Sequence, residues 1–355
     1  MKILVVWYDY FHYLDGITRA FNKIDGVQAI KFPLEYFKKQ STWLEKTITK
    51  MGIKCFEDRY YRKVSEQIID VCNCENVDAV MFLNADYRGI INEDLLRFFE
   101  ANKIKPLIWF VDTIKNKKTC HDKAYLEKFY KIYSFEKSDI DYINNKFDLP
   151  AIYLPLGVDD SVYNSCGRVP EKEYDIFFVG AGEEKRYVML EAAAKYCAEN
   201  SRKMLVYGRM WTHRPARHRI RQELNFKRKY PYLHQVTINQ YIEPEQVADF
   251  YKKSKINLNM LRAEHNGVNP RVFEILATQS FEITEYNEPT AEVFKDTDCL
   301  KMYKSQEDLI TMIEYYLTHE EEREYLAKLG HELVSEKYLI RKFVTAVVDD
   351  LELPV

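Results

Sequence analysis

The sequence predicts an α/β protein with two open, doubly wound parallel sheets, and three observations lead there. Residues 2–8, KILVVWY, form a continuous apolar run, as expected for a strand buried on both faces. Similar runs then alternate with amphipathic helical patterns along the chain, which is the rhythm of βαβ units. The rhythm pauses at AIYLPLGVDDSVY (151–163), where Pro155 and Gly157 supply turn chemistry, and then starts again. A chain of 355 residues is long enough for two domains, each with its own core. The boundaries read as 1–155, 156–335 and a terminal helical segment over 336–355.

In the first half, a polar turn after residue 8 leads to a helix near 17–24 and a strand over 27–32. Helical patterns follow at 42–51 and 61–73. Next come a strand at DAVMFLN (78–84), a helix at 92–102, the strand PLIWFVD (106–112), a helix near 124–130 and the strand KIYSF (131–135). Ligands on such sheets sit beyond the carboxyl ends of the strands. That places His12, Asn84, Asp86, Asp112 and Glu136 in loops at one rim. In the second half, YDIFFVG (174–180) ends in GAGEEKR, followed by a helix from about Tyr187. KMLVYG (203–208) and HQVTINQYI (234–242) read as strands, and PEQVADFYKKS as a helix with Pro244 in its first turn. A strand near 299–303 and helices over 306–318, 320–336 and 338–351 complete the chain.

The net charge is −3 with both signs plentiful, so the whole molecule is not an obvious nucleic-acid or membrane binder. Seven scattered Cys suggest a reducing compartment, and no second pair joins Cys72 and Cys74 at metal-ligand spacing. Met1-Lys2 runs straight into a strand, with no cleavable signal, and no apolar run approaches the ~20 residues of a spanning helix. A cytoplasmic protein, free or peripheral at a membrane, is expected.

The stretch INLNMLRAEHNGVNPRVFEILATQSFE (256–282) is the most informative. Ile256, Leu258 and Met260 alternate as in a short strand, and a polar loop over 262–269 follows. Asn269 is placed to cap a helix that begins at Pro270. A helix N-terminus carries unpaired N–H groups and partial positive charge, which suits phosphate. Glu274, one turn in, is placed to accept hydrogen bonds from two vicinal ribose hydroxyls. Gly180 and Gly182, followed by Lys185 and Arg186, lie at a strand end, where glycine admits close backbone approach and the cations can hold a diphosphate. The alternative is an ordinary βα turn. Arg271 is read as a second phosphate cation or a structural salt-bridge partner, and Asn259 as a pocket residue or a loop brace.

LNMLRAEHNGVNPRVFEILATQSFEIT resembles the donor-binding segment of GT-B glycosyltransferases, especially the spore-maturation CgeB-like group. The L-P-x-G-V-D run near 154–159 is similar to their interdomain crossover, and W-x-x-D ending at Asp112 to a segment of the CgeB-like first domain. The resemblance implies two Rossmann-like domains facing a cleft, with the last helix crossing back to the first. The second domain would hold a nucleotide diphosphate sugar, UDP-linked or GDP-linked, and the first an acceptor: glycan, protein, lipid-phosphate or DNA base. Arg186, Lys185 and Arg271 would stabilise the leaving diphosphate without a divalent metal, and Glu274 would hold the ribose. Tyr241 would lie near the base, Asn266 near the donor sugar, and Asp112 would orient or deprotonate the acceptor hydroxyl or simply cap a helix. Relatives that retain anomeric configuration carry E-x7-E. Here Asn266 replaces the first glutamate, and Gln279 and Ser280 stand where A-x-G has its glycine. Glu282 falls at the same spacing from Glu274 but belongs to the following strand.

RMWTHRPARHRIRQELNFKRK (209–229) holds many cations against the single acid Glu223. It reads as a solvated helix face or as a surface for an anionic partner. An epimerase acting on nucleotide sugars and a non-catalytic nucleic-acid binder are the rival functions.

Overall fold

The structure, a computed structural model, describes residues 1–7, 13–34, 54–83, 89–111, 113–114, 122–165, 171–211, 216–262 and 267–352. The chain divides into two compact units: Met1–Leu156 with Ile340–Val355, and Gly157–Leu339.

Unit 1 has a six-stranded parallel sheet in the order β2-β1-β3-β4-β5-β6, formed by β1 (Lys2–Trp7), β2 (Gln28–Pro33), β3 (Ala79–Leu83), β4 (Lys105–Phe110), β5 (Lys131–Ser134) and β6 (Ala151–Tyr153). The central strands β1, β3 and β4 are largely apolar because both faces are covered. Leu4, Val6, Phe82 and Ile108 pack on one side with Val64, Ile68 and Leu95. These come from α2 (Lys54–Glu75) and α3 (Glu93–Ala101). Ile3, Val5, Met81 and Trp109 point the other way, onto Ile17 and Phe21 of α1 (Tyr13–Phe21) and Val344, Val347 and Leu351 of the last helix. Two bonds tie that helix, Ile340–Glu352, to the sheet: Tyr133 Oη donates to Asp350 at 2.8 Å and Lys105 Nζ to the Leu351 carbonyl at 2.7 Å. Beyond α4 (Lys123–Leu126), a helix that the sequence reading did not predict, α5 (Lys137–Phe147), buries Ile143 and Phe147. Glu136 is therefore the buried N-cap residue of a helix, not an open rim residue. The buried Asp139 accepts from Thr113 Oγ1, the Ile114 amide and Ser134 Oγ, so it fixes the chain directly after position 112.

Unit 2 has a second six-stranded parallel sheet, ordered β12-β11-β10-β7-β8-β9. Its strands are β7 (Tyr174–Val179), β8 (Met204–Tyr207), β9 (Thr237–Ile238), β10 (Ser254–Asn259), β11 (Glu282–Glu285) and β12 (Lys301–Tyr303). Its helices are α6 (Glu184–Glu199), α7 (Ala216–Lys229), α8 (Pro231–Val236), α9 (Pro244–Lys252), α10 (Pro270–Ala277), α11 (Glu288–Val293), α12 (Gln306–Thr318) and α13 (Glu320–Lys337). The terminal helix of unit 1 is α14. The strand expected over 234–242 is corrected. Pro231, with its fixed φ, starts the helix α8, which buries Leu233, and only Thr237–Ile238 pair with β8. No described helix is long and apolar enough to cross a membrane.

Candidate functional site

The strand order of unit 2 reverses between β7 and β10, which are adjacent and parallel. At such a switch point the loops leaving the two strands diverge and open a crevice at their carboxyl ends. The loop after β7 carries Gly180–Glu183, and the loop after β10 leads to Asn269 and α10.

Arg186 joins these two loops. Nη1 donates to the Ala181 carbonyl at 3.0 Å and Nη2 to the Met260 carbonyl at 2.7 Å, with the side chain only 4 % exposed. The helix α6 begins at Glu184, so Lys185 and Arg186 stand in its first turn, not in the preceding loop. Burial pulls the Arg186 guanidinium down to about 10, and Arg271 and Arg262 push the same way against Glu183 and Glu285. A buried guanidinium with two backbone carbonyl acceptors and further cations beside it is a place where an anion would be welcome. Nε of Arg186 is buried with no hydrogen-bond partner. Lys185 pairs with Glu285, whose other oxygen accepts from the Leu261 amide at 3.1 Å.

The glycines also serve the packing of the turn itself. A Cβ on Gly182 would lie 2.2 Å from Tyr187 Oη and 2.8 Å from Met210 Cα. Gly208, at φ +150°, would bring a Cβ within 1.8 Å of the Gly180 carbonyl oxygen. These glycines let the loop after β7 pack against the turn after β8, with the Gly182 amide donating to the Arg209 carbonyl at 3.1 Å. That turn is held by Asn239, whose Oδ1 accepts from the Met210 amide at 2.7 Å. Tyr241 lies just beyond and is 43 % exposed, while its neighbour Ile242 is buried.

The helix α10 starts as the sequence predicts: Asn269 Oδ1 accepts from the Arg271 amide at 3.1 Å and Pro270 opens the first turn. Val272, Phe273, Ile275 and Leu276 are buried, whereas Arg271 and Glu274 are half-buried and share a face three residues apart. Beneath the cap lies a network that the sequence reading missed. Asn269 Nδ2 donates to Asn259 Oδ1 at 2.9 Å, and Asn259 Nδ2 donates to Glu282 Oε1 at 3.0 Å. Asn259 and Glu282 are wholly buried, so Asn259 braces the cap from below. Burial raises the Glu282 carboxyl to about 8, with Arg271 drawing it down and Glu274 pushing it up. Glu282 is thus electrically coupled to Arg271 and Glu274. Glu282 opens the strand EITE, whose neighbour in register is Asn259's own strand.

Asp112 and Asn266 lie outside the described residues, as do His12, Asn84 and Asp86. Gly180, Gly182, Lys185, Arg186, Asn259, Asn269, Arg271 and Glu274 all belong to the two loops and helix starts at the β7/β10 switch point or to the strand directly beneath.

Residues 186–349 match the model of a glycosyl transferase-like family. The glycosyl transferase-like segment thus begins at the arginine that joins the two loops and continues past α10. Among curated proteins, none matches the chain. Solved structures share the fold, which is that of GT-B glycosyltransferases. A glycosyltransferase from Rickettsia africae has a TM-score of 0.68 at 13 % identity, covering 99 % of this chain and 97 % of that one. Sucrose-phosphate synthase from Thermosynechococcus elongatus has a TM-score of 0.66 at 11 % identity, covering 99 % of each chain. Anabaena HepE, solved with UDP-glucose, has a TM-score of 0.64 at 8 % identity, again covering 99 % of each.

Proposed function

We propose that the chain transfers a sugar from a nucleoside diphosphate sugar, UDP-linked by preference, to an acceptor hydroxyl, with the donor held by unit 2 at the β7/β10 switch point. The observation that carries this reading is the Arg186 brace. It fixes two diverging loops, keeps a cation beneath them and stands beside Arg271 and the capped N-terminus of α10. Negative charge grows on the diphosphate as its bond to the sugar breaks, and preorganised cations and helix N–H groups stabilise that charge more than they stabilise the bound substrate. Arg271 and the α10 N-terminus would touch the phosphates. Arg186 acts through the field from below, and Lys185 is drawn from Glu285 when a donor is present. Glu274, one turn in, would accept from the ribose hydroxyls, and the exposed Tyr241 ring would lie against the base. Asp112 and Asn266 keep the acceptor and donor-sugar roles that the resemblance implies, along with retention of anomeric configuration, CgeB-like kinship and independence of added metal.

The test is turnover of a panel of UDP- and GDP-sugars, read as nucleoside diphosphate release with and without candidate acceptor glycans and by NMR of the sugar product. Release from one donor, unchanged by a chelator and reduced about 10- to 100-fold by Glu274→Ala, is expected, since a hydrogen bond to a charged group contributes about 1.5–3 kcal/mol. A sugar product altered in configuration but still nucleotide-linked, formed without acceptor, would assign the chain to the epimerases. No change in any nucleotide sugar would overturn the reading.

A further inference from the structure

Beyond the turn at Arg209 and Met210, the basic segment supplies none of the site residues named above. Its helical part, α7, packs on its neighbours through residues of its second half. Phe226 is buried, with ring centroids 5.0 Å from both Trp211 and Tyr187 and 5.3 Å from Tyr230. Lys229 pairs with Glu184, and Glu223 faces His234 at 3.6 Å. The opposite side of the helix is open to solvent. Ile220 is 55 % exposed and Leu224 61 % exposed; among the described residues the only other exposed large aliphatic side chain is Val188.

Ile220 and Leu224 are one turn apart, so they form one stripe. Lys227 follows Leu224 by three residues and Arg228 by four, and Arg221 lies one heptad before Arg228, so cations stand on both sides of the stripe. Arg219, Arg221, Lys227 and Arg228 are all exposed, and among the described residues none of them forms an ion pair. An apolar stripe between unpaired cations suits an interface with an apolar interior and an anionic rim. A nucleic-acid backbone would use the cations and leave Ile220 and Leu224 in water; an anionic lipid surface uses both.

We propose that α7 seats unit 2 on an anionic lipid surface, with Ile220 and Leu224 entering the acyl boundary and Arg221, Lys227 and Arg228 at the headgroups. The proposal is independent of the donor reading. The experiment is co-sedimentation of the full chain with vesicles of phosphatidylcholine alone and of phosphatidylcholine mixed with phosphatidylglycerol, at low and high salt. Binding to the mixed vesicles only, weakened by salt, is expected. A paired Arg221→Gln, Arg228→Gln variant should bind about 25-fold more weakly, at about fivefold per cation near an anionic surface. A paired Ile220→Ser, Leu224→Ser variant should lose at least about tenfold through the lost apolar burial. Both pairs are on the surface, and circular dichroism with the thermal midpoint checks that each variant folds. No sedimentation with the mixed vesicles, or wild-type binding by the serine variant, overturns the proposal. So does binding to an oligonucleotide in place of vesicles that the glutamine pair loses and the serine pair keeps. An oligomer in light scattering that the serine pair dissolves, with no vesicle binding, overturns it in favour of a second copy of the chain.

Discussion

Glu282→Gln tests the buried network beneath α10. Glu282 is wholly buried, is bonded to Asn259, and has its carboxyl raised to about 8, burial being the largest cause. Between the unfolded value of about 4.3 and that folded value, the folded chain keeps a proton that the unfolded chain has released. Stability therefore falls as pH rises through this window; it is fully present below the unfolded value and lost by the time pH passes the folded one. At about 1.4 kcal/mol per pH unit, the whole window corresponds to ~5 kcal/mol, and at neutral pH ~3–4 kcal/mol of it has already gone. Glutamine keeps the oxygen that accepts from Asn259 and does not titrate. Urea unfolding, followed by fluorescence of Trp211 in unit 2, should show variant and wild type nearly equal at about pH 5, with the variant more stable by several kcal/mol at about pH 8. If the variant were less stable by the same amount at both pH values, Glu282 would be an ionised partner of Arg271 and the reasoning would be wrong.

Three further predictions concern the scaffold of unit 2. Asn259→Ala and Asn269→Ala share a 2.9 Å bond, so their destabilisations should be non-additive by about 1 kcal/mol in a urea double-mutant cycle; strict additivity would dissolve the network. Gln279 sits at φ +54° immediately beyond α10, and Gln279→Gly should raise the unfolding free energy by about 1 kcal/mol in the same assay by removing left-handed strain. Gly208→Ala should cost at least ~3 kcal/mol or prevent folding of unit 2, read by circular dichroism, because its Cβ has no room beside Gly180.

The alternating sheets were legible because strands covered on both faces must be apolar along most of their length, as β1 and β7 are apart from Lys2 and Asp175. The start of α10 was legible because Asn-Pro before an apolar run carries its capping chemistry locally. What escaped the sequence reading was non-local or locally ambiguous. HQVTINQYI has the composition of a strand, yet Pro231 upstream starts a helix through its first residues. α5 is polar along much of its length, and its apolar residues Ile140, Ile143 and Phe147 find their partners in the sheet core. Arg186 reads as a phosphate ligand, and its bond to the Met260 carbonyl, 74 residues away, had no local signal. The glycines after β7 read as room for a ligand, and their packing against the turn at Gly208 had no local signal. Glu282 has no recognisable role before β10 and β11 pair.

Calorimetric titration of UDP and UMP into wild type, Arg271→Ala and Glu274→Ala tests the central claim most directly: that the N-terminus of α10 and its neighbouring cations grip a nucleoside diphosphate. One UDP should bind per chain, UMP should bind at least about tenfold more weakly for want of the second phosphate, and each substitution should weaken UDP by about 10- to 100-fold. Equal affinity for UDP and UMP, or UDP binding unchanged in both variants, would contradict it.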